Sequence, residues 1–103
     1  MTPSARFEEE AEQEYRAAAR WYEARRSGLG VEFLDAVDAT LAQIVRFPQA
    51  GAPLPRVPPE LPVRRAPVNR FPYHIVYIEA EATIRILAVA HDHRRPGYWK
   101  GRL

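Results

Sequence analysis

The sequence predicts an α+β domain in which a helical hairpin packs on a small antiparallel sheet. Three observations predict it. Two amphipathic stretches in the first half are joined by the short link Ser27-Gly28-Leu29-Gly30. Seven prolines between Pro48 and Pro67 then break all helical periodicity. Two runs rich in β-branched and aromatic residues follow, with a short connection between them. At 103 residues there is room for one domain, spanning 1–103.

Ala5 to Phe7 is a candidate for a brief first strand. Phe7, Ala11, Tyr15, Ala18 and Tyr22 then recur at helical spacing. Acids open this helix and Arg25 and Arg26 close it, as the helix dipole favours. Its expected bounds are 8–26, with Gly28 as the stop. The second helix is expected near 30–47, with an apolar stripe of Phe33, Leu34, Val37, Leu41, Ile44 and Val45 and with Pro48 as its end. Two such helices on a short link form an antiparallel hairpin. The proline-dense stretch reads as an extended surface loop leading to a short edge strand around Val63 to Ala66. Tyr73 to Ile78 and Thr83 to Ala90 read as a β-hairpin, with Ile84, Ile86, Ala88 and Ala90 alternating onto one face. Phe7, Tyr15, Leu34, Val37, Leu41, Ile75, Ile84 and Ile86 are the expected core.

Composition excludes several classes. There is no cysteine, so no disulfide or thiolate metal site forms. No apolar run is long enough to span a bilayer, so no membrane role is expected. Met1 to Glu14 is acidic and polar, unlike a secretory signal, and the chain reads as cytoplasmic. His91 and His93 flank Asp92, but a zinc site needs three or four convergent ligands, so no metal is expected. There is no Gly-rich phosphate loop and no Gly-x-Ser-x-Gly, and neither a cofactor nor a small-molecule substrate is expected. The net charge of +2 hides an acidic first half and a basic second half. A basic half suits a polyanion or an acidic protein partner, although uneven charge is also common on solvated surfaces.

Several segments together carry a family resemblance. They are Trp21-Tyr22-Glu23 with Gly28-Leu29-Gly30 and Phe33-Leu34; Phe47-Pro48 with Gly51; Val63-Arg64-Arg65; Arg70 to Tyr77; and Ile86 to His91, followed by Arg94-Arg95-Pro96 and Tyr98-Trp99. In order and spacing the chain resembles the RelE/ParE family of bacterial type II toxins, on its ParE-like branch. That resemblance implies a growth-inhibiting toxin held inactive by a cognate antitoxin protein. It implies one of two targets. RelE-like members cut messenger RNA in the ribosome, and ParE-like members poison DNA gyrase. A non-toxic nucleic-acid-binding or adaptor protein on the same fold is the third reading, because fold alone does not fix function.

A metal-free ribonuclease needs a general base, cations around the phosphate and a proton for the leaving oxygen. His91, Arg70 and Tyr98 are the candidates for those roles, with the resemblance placing Tyr98 near a base-stacking tyrosine of the nucleases. Two positions depart from the nuclease pattern: His74 and Asp92 stand where those members keep cations. A carboxylate repels a phosphate, so the departures favour the ParE-like reading and leave the chain without its own chemistry. Arg65, Arg94, Arg95 and Trp99 are then the candidate binding residues. For Trp99, packing the tail back on the sheet is equally open, and for His91 a structural place at the strand end.

Overall fold

The computed structural model describes residues 4–54, 57–58 and 60–103. Strand β1 (Ser4–Phe7) leads into helices α1 (Glu9–Arg25) and α2 (Leu29–Arg46). Strands β2 (Ala52–Pro53), β3 (Val63–Pro67), β4 (Tyr73–Ala80) and β5 (Thr83–His91) follow, and a 3-10 turn at Lys100–Arg102 closes the chain. The sheet order is β1-β5-β4-β3-β2. The helices and the three longer strands lie within about two residues of their predicted bounds.

The link between the helices is shaped by one carboxylate. Glu23, near the end of α1, accepts hydrogen bonds from the backbone N–H groups of Gly28 and Gly30. These are N–H groups at the start of α2 that lack an intrahelical acceptor. Gly28 sits at φ +89, in the left-handed region that glycine enters freely. Gly28 therefore starts the second helix rather than stopping the first, which ends at Arg25 with Arg26 as its cap. At Gly30 a Cβ would meet the Ala19 carbonyl at 2.7 Å, so the two helices approach closely there.

The sheet is mixed, not purely antiparallel, because β1 pairs in parallel with β5 from Ser4↔Thr83 to Phe7↔Ile86. The brief strand expected at Ala5 to Phe7 forms, lengthened by Ser4, and Phe7 stacks on Tyr15 at 5.2 Å. The strand at Val63–Pro67 is not the edge. The two-residue β2 pairs outside it, and Arg64 donates to the Gly51 carbonyl across that join. Pro55, Arg56 and Pro59 of the predicted loop lie outside the described residues.

A second correction concerns β5. Val76 pairs with Ala88 but Tyr77 pairs with Ile86, which leaves Leu87 as an extra residue. A one-residue slip of this kind flips every later side chain to the other face. Ile84, Ile86 and Val89 consequently face the helices, while Leu87, Ala88 and Ala90 face away. The predicted single face of Ile84, Ile86, Ala88 and Ala90 is thus split by the bulge.

Both faces of the sheet are covered. On the helix side, Ala11, Ala18, Phe33, Val37 and Ile44 pack on Ile75, Tyr77, Ile84, Ile86 and Val89. Leu34 and Leu41, expected in the core, are half-buried, as are Phe7 and Tyr15; Leu41, Phe7 and Tyr15 pack at the core's margin. On the far side, Val63, Val76, Leu87, Ala88 and Ala90 gather around Trp99, with Leu54, Val57, Ile78 and Tyr98 against them.

Candidate functional site

Two grooves hold most of the candidate residues, and they are built from different elements. The first runs along α2 beside β2 and β3. Ala36, Ala39, Thr40, Gln43 and Phe47 supply one wall, and Arg65, Arg70, His74 and Asp92 are among the residues lining the rest. The second lies between α1 and the end of β5, and is lined by Glu14, Trp21, Tyr22, Tyr73, His91, Arg94 and Tyr98. The structure therefore brings His91 and Tyr98 together and leaves Arg70 in the other groove.

In the first groove Arg70, Glu32, His74 and Asp92 are already engaged with other side chains. Arg70, at φ +73, reaches Glu32 of α2 at 3.1 Å, and Arg26 meets the same carboxylate at 2.8 Å. Hydrogen bonds from Arg26 and then from Arg70 hold the Glu32 carboxyl below the usual carboxylate range. His74 Nδ1 lies 2.9 Å from Asp92. The two positions that depart from the nuclease pattern thus satisfy each other across β4 and the residue after β5. Arg65 is exposed. At the end of α2, Phe47 is 54% exposed, a large apolar side chain left uncovered.

In the second groove Tyr98 is fixed rather than free. Its hydroxyl donates to Glu14 at 2.7 Å, and the Arg94 guanidinium lies 4.0 Å from its ring centre. Burial, together with the Glu14 carboxylate, pushes the Tyr98 phenol far above its ordinary range. His91 accepts the backbone N–H of His93 at Nδ1, so its neutral form carries the proton on Nε2. Its ring packs edge-on against Tyr73 at 5.1 Å. Arg94, which lines this groove, and Arg95 are both exposed. Trp21 is 53% exposed, with Arg25 over its ring at 4.1 Å.

Trp99 does not belong to either surface. It is 3% exposed, held in the second core cluster against the far face of the sheet. A large indole gains more from that apolar cover than from solvent, and of the two places open to Trp99 in the sequence this is the packed one.

Glu14 is the residue that the sequence reading missed. Its carboxylate accepts from Tyr98, from Arg102 at 2.9 and 3.1 Å, and from the backbone N–H of Val89. A signal for it existed. Glu14 falls three residues after Ala11 and four before Ala18, so it shares the sheet-facing side of α1. Among the described residues, no group of three or more His, Cys, Asp or Glu side chains could hold a metal ion. No described helix is long and apolar enough to cross a membrane.

Helical hairpin, mixed five-stranded sheet and basic tail define a small α+β domain with two surface grooves. The family model for the ParE toxin of the type II toxin-antitoxin system parDE matches residues 5–96. The chain belongs to this ParE toxin family. In fold it is similar to a solved chain described as the chromosomal ParDE toxin-antitoxin system from P. aeruginosa, with a TM-score of 0.70 and 17% identity. That likeness covers 87% of this chain and 96% of the other. No curated protein matches the chain in sequence.

Proposed function

We propose that this toxin-family chain acts by binding DNA gyrase and blocking replication, and that a cognate antitoxin binds and neutralises it in the cytoplasm. The observation that carries the choice of target is the state of the candidate catalytic groups. Arg70 lies in a different groove from His91 and Tyr98. Arg70 is engaged by Glu32, and Tyr98 by Glu14. Asp92 sits beside His74 where a nuclease would place a cation. Phosphodiester cleavage depends on cations preorganised around the phosphate, and losing one such group typically costs about 100-fold or more in rate. Arg65, Arg94 and Arg95 remain exposed as cations for a protein surface or nucleic acid.

The antitoxin reading is supported by the family and by the surface. Phe47 and Trp21 leave apolar area open beside the two grooves, and the outer edges of β1 and β2 have no strand partner among the described residues. Extended and helical peptides use such edges and grooves. The test is controlled expression without antitoxin, following DNA synthesis and messenger-RNA integrity together. Arrest of DNA synthesis with intact messenger RNA is expected. Early cleavage of messenger RNA, abolished by His91→Ala, would replace gyrase with the ribosome as target. Normal growth with a stably folded chain would favour the non-toxic adaptor.

A further inference from the structure

Strand β1 covers only the first half of the outer edge of β5. Its last pairing is Phe7↔Ile86, and the chain leaves the sheet as the Glu8 N–H bonds the Ile86 carbonyl. Beyond that point the Leu87 carbonyl and the Val89 N–H face outward with no strand beside them among the described residues. Side chains meet both instead. Arg102 Nη1 donates to the Leu87 carbonyl at 2.9 Å, and Glu14 Oε1 accepts the Val89 N–H at 3.1 Å. Arg102 and Glu14 are themselves paired, with their side chains 14% and 18% exposed. Arg85 holds the Arg102 carbonyl at 2.8 Å, so the tail end is fixed where it stands. A donor and an acceptor, linked to each other, occupy the place of a missing strand.

The two sealed groups have a further property. In an antiparallel pair, a residue couple that does not bond directly is flanked by bonds from the N–H of the next residue to the carbonyl of the preceding one. If Ala88 faces Ala88 of a second copy, those bonds are Val89 N–H to Leu87 carbonyl, made twice by two-fold symmetry. One edge supplies both halves of a self-complementary contact. Its side chains, Leu87 to Ala90, carry no charge that would oppose such pairing. We propose that Glu14 and Arg102 seal the exposed half-edge of β5, and that lifting the end of the tail opens a strand-addition site that takes a second copy of this chain.

The seal is read in the intact chain by hydrogen exchange. The Val89 amide is expected to exchange far more slowly than unbonded loop amides, although no strand pairs with it. Exchange at loop rates overturns the seal. Self-pairing is read by light scattering on Arg102→Ala, and on Arg102→Gln, which keeps most of the aliphatic stem if the shorter variant fails to fold. Both are expected to shift from the 11.8 kDa monomer to twice that mass as concentration rises, with the unaltered chain remaining monomeric. A folded variant that stays monomeric overturns the proposal. The register is read by Ala88→Cys in a chain that has no cysteine. Across the two-fold axis the Cα atoms stand about 4.5 Å apart, within disulfide range. Oxidation is expected to give a covalent dimer only when Arg102 is also replaced. A dimer that forms without that cross-link overturns the strand-addition geometry.

Discussion

Gly51 and Tyr77 form the join between the α2 loop and the sheet, and their coupling can be worked out in advance. The Tyr77 ring is 1% exposed, and its hydroxyl donates to the Pro48 carbonyl at 2.7 Å. A Cβ at position 51 would lie 2.2 Å from that hydroxyl, 2.9 Å from Cζ and 3.0 Å from the Arg65 carbonyl. The ring is wedged in the core and cannot retreat, so Gly51→Ala must push the loop outward. Overpacking of this kind costs about 1–3 kcal/mol, and stranding the buried hydroxyl adds about 1–3 kcal/mol. Tyr77→Phe alone removes one ordinary hydrogen bond, worth about 0.5–1.5 kcal/mol. In the double variant the worst contact has gone with the oxygen. The two changes are then expected to cost less together than separately, by a coupling of about 1–2 kcal/mol. Urea unfolding of the four chains measures this, and each kcal/mol should also move the melting temperature by about 4–8 °C in a domain this small. Additive penalties within experimental error would refute the close approach at Gly51.

Trp99→Ala is expected to cost about 3–5 kcal/mol by emptying the far-face cluster, whereas Arg94→Ala with Arg95→Ala leaves unfolding nearly unchanged and abolishes toxicity; melting curves beside growth assays separate the two. Antitoxin association should slow as ionic strength rises, because the exposed arginines steer an acidic partner; stopped-flow rates indifferent to salt would remove that electrostatic part. Alkaline stability follows from Tyr15, whose phenol is pushed up to about 12 by burial first and by its hydrogen bond to Asp38. A raised folded pKa means that stability is fully present below the ordinary tyrosine value and is lost as pH climbs from about 10 towards 12. Denaturation midpoints across that window should fall, and less steeply for Tyr15→Phe.

The helices and main strands were legible because burial imposes period on sequence. The stripe Phe33, Val37, Ile44 and the β-branched run of β4 each repeat at the spacing of their element. The bulge at Leu87 was not legible. Ile84-Arg85-Ile86-Leu87-Ala88-Val89-Ala90 is compatible with unbroken alternation, and only the partner strand fixes where the phase slips. The parallel pairing of β1 is equally non-local, joining residues far apart in the chain. At the site, sequence put His91 at the end of the last strand and Tyr98 in the tail beyond it, and only the structure brings the two into one groove. Sequence could not show that Arg70 belongs to another groove, since that depends on how the turn after β3 meets α2. Trp99 was left open between packing and contact, and apolar cover decided it. Glu14 escaped notice because a glutamate on a charged helix is usually solvated, and its partners Val89, Tyr98 and Arg102 all come from the far end of the chain.

The central claim is that this ParE-family chain disables gyrase by binding and does no phosphodiester chemistry of its own. The most direct test adds the purified chain to DNA gyrase and relaxed plasmid, with ribosomes programmed with messenger RNA in a parallel tube. Loss of supercoiling at stoichiometric toxin, relieved by antitoxin and absent in the Arg94→Ala, Arg95→Ala variant, is the expected result. Undisturbed supercoiling together with cut messenger RNA on the ribosomes would contradict it.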